Sequence, residues 1–170
     1  MTSPLNPRFA SAPAMLLAGI RRHHAMSDAH QTIPRQWQEF RTSGFRDTRA
    51  PRAFGVICGT DGERFEYMTA LEVDSFDDLP TGFGRMRVPA QNYAVFLHRG
   101  HSSGLADLWQ RIAAEWLPTS AYDDAETPAF EMYDDRFDPE TGTGDVEVWF
   151  PVKPKATPPD SPGRPTEAMR

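Results

Sequence analysis

Apolar residues change their spacing along the chain, and each change predicts a new element of secondary structure. An apolar run at 14–22 is typical of a half-buried strand, and apolar side chains at helical spacing predict a helix over 33–43. Two strand-like segments follow at 53–60 and 64–73, separated by a tight-turn signal. The first half of the chain therefore predicts the order strand, helix, strand, strand.

The ends of the first helix carry local signals of their own. Thr32 is the expected N-cap, because its hydroxyl can accept a hydrogen bond from a free backbone N–H. Pro34 is placed in the first turn, where its missing N–H costs nothing. Gly44 follows the last apolar position and predicts the end of the helix.

The second half of the chain repeats this order. We predict a strand over 84–100, a helix over 103–117 and strands over 128–135 and 145–152. The second helix has a wide apolar face built from residues three and four positions apart. The same succession of strand, helix, strand, strand predicts an internal duplication.

Short sequence matches support the duplication. The segments that begin at Pro13 and Pro89 resemble each other, and the tryptophans Trp37 and Trp109 occupy corresponding helical positions. We therefore predict an α+β fold: a tandem pseudo-twofold β-α-β-β repeat with half-repeats at about 8–76 and 84–152. Its antiparallel sheets and two main helices are expected to surround a central groove, where small-molecule sites tend to lie.

Composition limits the domain to the middle of the chain. The 170 residues fit one domain, which we place at 8–153. The segments 1–7 and 154–170 have too few apolar side chains to offset the entropy of ordering, and the second is rich in proline. Both are predicted to be disordered tails.

The cysteine count, the length of the apolar runs and the motifs narrow the class of protein. Only one cysteine is present, no apolar run approaches the length of a membrane span, and no signal sequence is evident, so a cytoplasmic location without membrane association is expected. No phosphate-binding loop or metal-ligand spacing occurs, and we expect neither a cofactor nor a metal. The histidines are interpreted as solvated loop residues.

Charge is segregated along the chain. The net charge is −6, which argues against general affinity for nucleic acid. Residues 1–52 carry eight arginines against three acidic residues, whereas 121–147 carry ten acidic residues and one arginine. Such runs are usually solvated faces, with an interaction surface as the alternative.

Glu131 is the first candidate for chemistry. Strand alternation places Glu131 and Tyr133 on one face, and Phe130 and Met132 on the other. If the apolar pair packs under the helices, Glu131 points into the groove, opposite the corresponding Gly55 of the first half. A solvated carboxylate on a strand is the alternative interpretation.

Aromatic residues form the second candidate group. Most of them must belong to the core, but Trp37 and Trp109 occupy matching positions and could form two walls of one groove. Together with Glu131, the predicted ligand-binding residues are Trp37, Tyr67, Trp109, Tyr133 and Trp149.

The order of these segments resembles a known family. The stretches YAVFLHRG, EWLPTSAY, PAFEMYDD and EVWFPV are similar to the GyrI-like small-molecule-binding domain, over about residues 7 to 153. The same module forms the effector-binding domain of AraC-type and MerR-type transcription regulators. The resemblance implies the tandem fold with its groove, and it implies that Glu131 meets hydrophobic, often cationic, ligands beside aromatic side chains.

Three functions follow from the resemblance. The first is a stand-alone, multidrug-type binding protein for a hydrophobic or cationic ligand. The second is a hydrolase of cyclopropane-bearing genotoxins, with Glu131 as general base and a hydrogen bond from Tyr67 or Tyr133. The third is an interaction protein that contacts a regulator or DNA gyrase. Only a few residues precede the first strand, so direct sequence-specific DNA binding is not expected. The chain is expected to be a monomer or a homodimer.

Overall fold

The computed structural model describes residues 3–45 and 52–156 and has a mixed α+β architecture. Its strands belong to one large, mainly antiparallel sheet, and its helices are short. The strands are β1 (Arg8–Ala12), β2 (Met15–Ala25), β3 (Ala53–Thr60), β4 (Arg64–Val73), β5 (Gly84–Val88), β6 (Gln91–His101), β7 (Tyr122–Asp124), β8 (Ala129–Tyr133), β9 (Phe137–Asp138) and β10 (Thr143–Pro154). The helices are α1 (Ala29–Thr42), α2 (Leu105–Arg111) and α3 (Leu117–Thr119).

The strand order is similar when it is read from either edge of the sheet. The order is β1-β6-β10-β8-β3-β4-β2-β5, with β7 and β9 also paired to β10. The central pair, β3 with β8, joins the half that contains α1 to the half that contains α2. The α+β fold class predicted from the sequence, with a large antiparallel sheet and two main helices, is confirmed.

The sheet must curve strongly. Strand β5 lies at one edge and β6 near the other, yet only two residues separate Val88 from Gln91. Three steps of extended chain span at most about 10 Å. The edges are therefore brought close to each other, which allows one face of the sheet to enclose its own core.

Each face of the sheet has a separate apolar core. On the inner, concave face the core lies between strands and contains side chains such as Phe54, Met68 and Phe130. On the outer face, Leu105, Leu108 and the following Ile112 pack onto β6 and β10. We call this second side the helix face, because the helices cover it.

Helix α1 begins earlier than its sequence signals predict. Asp28 occupies the N-cap position, although its side chain makes no capping hydrogen bond. The predictions for Thr32 and Pro34 are therefore wrong: both lie inside the helix, and the Thr32 hydroxyl donates to the backbone oxygen of Asp28. The predicted end is confirmed, since Gly44 has a positive φ of 75° immediately after the C-cap residue.

The second predicted helix is divided into segments. A short 3₁₀ turn precedes α2, and the stretch Ile112–Trp116 has π-helical hydrogen bonding before α3. Pro118 lies in this last segment and has no N–H to donate to the carbonyl of Ala114. The regular α-helical bonding of α2 ends at Arg111, and the π-helical turn lies between α2 and the segment that contains Pro118.

The strands differ from the sequence predictions in two ways. The single strand predicted over 84–100 is divided into β5 and β6 at Pro89, and the short strands β1, β7 and β9 were not predicted. The tails predicted at 1–7 and 154–170 lie partly outside the described residues, but Pro154 is the last residue of β10. No helix in the described part of the chain is long and apolar enough to span a membrane.

Candidate functional site

Glu131 lies in the middle of β8, at the centre of the sheet. It pairs with Gly55 of β3 on one side and with Val148 of β10 on the other. Phe130 and Met132 belong to the core on the concave face, so the condition that they pack under the helices, on which the expected orientation of Glu131 depended, is not met. Glu131 itself points to the helix face, where it is only 5% exposed.

Gly55 creates the space that this arrangement needs. A Cβ atom at this position would lie 1.9 Å from the hydroxyl oxygen of Tyr67 and 2.7 Å from a carboxylate oxygen of Glu131. The Tyr67 side chain therefore leans from β4 across Gly55 towards β8. Gly55 and Glu131 are thus direct neighbours on paired strands, and do not face each other across a groove.

Three neutral donors surround the Glu131 carboxylate. The Tyr67 hydroxyl donates to Oε1 at 2.6 Å, and the Tyr133 hydroxyl donates to the same oxygen at 3.3 Å. Trp109 of α2 donates from Nε1 to Oε2 at 3.4 Å. Trp37 of α1 donates to the Tyr67 hydroxyl at 3.1 Å, and its ring contacts Tyr133 with a centroid distance of 4.9 Å. The structure thus brings four of the five predicted aromatic residues to this carboxylate.

The carboxylate has no ion-pair partner among the described residues. Burial raises the pKa of Glu131, while hydrogen bonds from Tyr67, Trp109 and Tyr133 oppose the rise. Burial and the adjacent carboxylate raise the pKa of Tyr67 and of Tyr133 well above the usual value. Both tyrosines therefore stay protonated and donate, and they stabilise a negative charge without cancelling it.

Trp149 does not belong to this group. Its ring stacks on Phe130 at a centroid distance of 5.7 Å, on the concave side of the sheet. Its Nε1 donates to a different carboxylate, Glu147, at 3.1 Å. The prediction that Trp149 shares a site with Glu131 is therefore wrong, because the two residues lie on opposite faces.

A buried polar network supports the site and escaped sequence reasoning. His24 lies in β2 with its Nε2 2.6 Å from Oε1 of Gln36, so its interpretation as a loop histidine is wrong. The Gln36 amide donates to the backbone oxygens of Ile20 and Tyr67. Gln36 immediately precedes Trp37, and this network fixes α1 relative to β4. The available signal was helical spacing: Thr32, Gln36 and Phe40 share one face of α1.

One open depression of about 400 Å³ lies elsewhere on the surface, near the end of α1. It is lined in part by Arg22 and Glu39, which form an ion pair with each other at 2.7 Å. Its charged groups are therefore already compensated. We consider Glu131 the stronger candidate, because its charge is buried and unpaired. No cluster of metal-ligating side chains occurs within residues 3–45 and 52–156.

The fold is that of a mixed α+β domain with one large antiparallel sheet. The family model of the GyrI-like small molecule binding domain matches residues 5–153, nearly the whole chain. The chain therefore belongs to the GyrI-like family, as the sequence resemblance indicated.

Two relatives with assigned roles are similar in sequence. The transcriptional regulator BrlR of Pseudomonas aeruginosa is 27% identical over 154 residues, which is 87% of this chain and 56% of BrlR. A DNA gyrase inhibitor of Erwinia billingiae is 31% identical over 93 residues, covering 53% of this chain and 59% of the inhibitor. The chain thus spans somewhat more than half the length of each of these relatives.

Solved structures share the fold. SAV2435 bound to tetraphenylphosphonium superposes with a TM-score of 0.69 at 20% identity, covering 88% of this chain and 94% of SAV2435. The C-terminal domain of EcmrR superposes with a TM-score of 0.64 at 17% identity, covering 88% of this chain and 98% of that domain. At these identities the likeness shows a shared architecture alone.

Proposed function

We propose that this domain binds a hydrophobic organic cation beside Glu131, with the side chains of Trp37, Tyr67, Trp109 and Tyr133 around it. One observation carries the proposal: a buried carboxylate at the centre of the sheet has only neutral donors as partners within the described residues. A buried charge is normally paired or neutralised. A bound cation would supply the missing charge.

Aromatic side chains complete the chemistry of such a site. The faces of tryptophan and tyrosine rings attract cations through their quadrupoles, and the rings provide apolar surface for a hydrophobic ligand. Trp37 and Trp109 are only partly buried, so the ligand can approach past their rings. A flat or globular aromatic cation fits this combination better than a small hydrated ion.

Tetraphenylphosphonium is a suitable probe, because it is a hydrophobic cation and SAV2435, which shares the fold, was solved with it. Isothermal titration calorimetry should compare the wild type with Glu131→Gln. Tetraphenylphosphonium has no hydrogen-bond donor, so its attraction to the carboxylate is coulombic, and losing the charge should weaken binding roughly 10–100-fold. Binding to the wild type should also weaken as the pH falls through the pKa of Glu131. Burial raises that pKa, so the loss should begin at a higher pH than for an exposed glutamate.

Glu147→Gln is the matched control, since Glu147 is the other buried glutamate among the described residues and lies on the opposite face. This variant should retain wild-type affinity within about twofold. Equal affinity of wild type and Glu131→Gln would contradict the role that we assign to Glu131.

A hydrolase is the second candidate function. The Tyr67 hydroxyl and the Glu131 carboxylate form a 2.6 Å hydrogen bond, and the raised pKa of Glu131 suits a general base. A protein with the same fold, the hydrolase encoded by lin2189 from Listeria innocua, superposes with a TM-score of 0.52 at 11% identity. Incubation with an electrophilic cyclopropane compound separates the candidates: turnover that Glu131→Gln abolishes favours the hydrolase, and binding without turnover favours the binding protein.

The acidic segment 121–147 is a weaker candidate for contact with gyrase. Two of its acidic residues, Glu131 and Glu147, are buried, and Asp134 is paired with Arg136 at 2.8 Å. The segment therefore presents less free charge than its composition indicates. Inhibition in a supercoiling assay would be required to support this function.

A further inference from the structure

A row of side chains crosses the helix face through Glu131. Strand register aligns Thr69 of β4 with Gly55 of β3, and Gly55 with Glu131 of β8. Residues directly opposite each other on paired strands share a face of the sheet. Thr69 and Glu131 therefore lie on the same face, on either side of the one position that has no side chain.

The hydroxyl of Thr69 is the one buried side-chain polar atom without a hydrogen-bond partner in the described part of the chain. Thr69 is completely buried, so water does not replace the missing partner at the surface. Leaving a hydroxyl buried and unsatisfied is costly, and such groups are rare in folded proteins. The hydroxyl therefore requires an explanation beyond packing.

Packing alone would be satisfied by an apolar residue of the same shape. Val148 occupies the corresponding place in the other half, since it pairs with Glu131 as Thr69 pairs with Gly55. Val148 is completely buried as well. Valine and threonine have the same shape and differ by a hydroxyl in place of a methyl group, so this row accepts the apolar residue where no polar group is needed.

Tyr67 separates Thr69 from Glu131 in this structure. Its hydroxyl occupies the space above Gly55, where a Cβ atom would otherwise lie. Rotation of the Tyr67 ring away from Glu131 would empty that space. A ligand placed there would have the carboxylate at one end and the Thr69 hydroxyl at the other, roughly 9–10 Å apart, which is two strand spacings.

We infer that Thr69 is a second polar anchor of the ligand site, which rests on the proposed function at Glu131. Its hydroxyl can both donate and accept a hydrogen bond. The site then selects organic cations that carry a hydroxyl, amide or similar group on the side away from the positive charge. A cation without such a group uses Glu131 and the aromatic rings alone.

Two probes that differ by one oxygen test this inference. Calorimetry should measure tetraphenylphosphonium and (4-hydroxyphenyl)triphenylphosphonium against wild type, Thr69→Val and Thr69→Ser. Thr69→Val should bind the hydroxylated probe about 3–10-fold more weakly than the wild type does, with tetraphenylphosphonium unchanged within about twofold. Thr69→Ser, which restores a hydroxyl, should recover most of the loss.

The outcomes separate this inference from the proposed function. If the wild type binds both probes and Thr69→Val binds the hydroxylated probe equally well, Thr69 is not an anchor, and the role of Glu131 is untouched. An equal loss for both probes would also overturn the inference, since it would indicate a general change of shape. If neither probe binds the wild type, the proposed function fails as well.

A thermal unfolding measurement without ligand provides an independent readout. Because Thr69→Val removes an unsatisfied hydroxyl and keeps the side-chain shape, it should raise Tm by about 2–4 °C. A lower Tm would mean that the hydroxyl has a partner in the free protein, and this would overturn the inference.

Discussion

Two glutamates on neighbouring strands are buried to a similar extent but have different partners. Glu131 of β8 is 5% exposed and Glu147 of β10 is 8% exposed. Glu147 accepts hydrogen bonds from Arg8 at 2.8 Å and from Arg136 at 2.7 Å, so two cations compensate its charge. Glu131 accepts only from neutral tyrosine and tryptophan groups within the described residues.

This difference separates a structural carboxylate from one that can serve a ligand. The ions around Glu147 connect β10 to β1 and to the turn after β8, and the guanidinium of Arg8 lies 5.3 Å from the centre of the Trp149 ring. These ion pairs hold β1 and the turn after β8 against β10. The donors around Glu131 hold the carboxylate in position and leave its charge available. Burial alone is therefore a poor guide to function, and the charge of the partners is the better one.

Removing the two arginines that compensate the charge of Glu147 should have the strongest effect on stability. Replacing Arg8 and Arg136 together by alanine leaves Glu147 buried and unpaired, which should lower the free energy of unfolding by about 2–4 kcal/mol. The expected loss lies below that for a fully buried pair because both arginines are partly exposed. Urea denaturation provides the measurement.

The exposed pair of Arg22 and Glu39 provides the control for this variant. Both side chains are about half exposed, so Arg22→Ala should cost no more than about 1 kcal/mol. Similar losses for the two experiments would contradict a structural role for the arginines around Glu147.

A second substitution breaks the geometry around Glu131. Gly55→Ala places a methyl group where the Tyr67 hydroxyl now lies, and it should separate Tyr67 from both Glu131 and Trp37. We expect a loss of about 1–3 kcal/mol in the free energy of unfolding, from crowding and from unpaired polar groups. Chemical denaturation measures the loss, and a crystal structure of the variant with Tyr67 unmoved would contradict the close contact.

A smaller effect is expected when one of the neutral hydrogen-bond donors to Glu131 is removed. In Tyr67→Phe, the Oε1 atom of Glu131 loses its shortest hydrogen bond, so a cation no longer competes with that hydroxyl. Affinity for tetraphenylphosphonium should rise by about 2–10-fold, the equivalent of one ordinary hydrogen bond. A fall in affinity would mean that the Tyr67 hydroxyl contacts the ligand directly.

Much of the fold could be predicted from the sequence, because in most elements the apolar residues recur at the regular spacing of a strand or a helix. The longer strands and both main helices follow from apolar spacing, and Gly44 has the positive φ that ends α1. Strand β1 is different: it has five residues and an exposed Phe9. Pairing with β6 and the ion pair of Arg8 hold it in place, and both contacts are remote in sequence.

The candidate site was predictable in part for a similar reason. Alternation places Glu131 and Tyr133 together, but it does not establish which face of a sheet the helices cover when both faces are buried. That ambiguity is why alternation alone left open which face Phe130 and Met132 occupy. The error for Trp149 has a related cause: which residues of β10 share a face with Glu131 depends on strand register, and a shift of one residue reverses the answer.

The most direct test follows the Glu131 carboxyl group itself. Carbon-13 NMR of its side-chain carboxyl carbon, titrated with pH with and without saturating tetraphenylphosphonium, measures its pKa in place. We predict that the pKa of Glu131 lies above the usual glutamate value in the free protein and falls when the cation binds, because a nearby positive charge favours the ionised form. The Glu147→Gln variant should give the same result. A pKa of Glu131 that is unaffected by the bound cation would contradict the claim that Glu131 is the carboxylate available to a ligand.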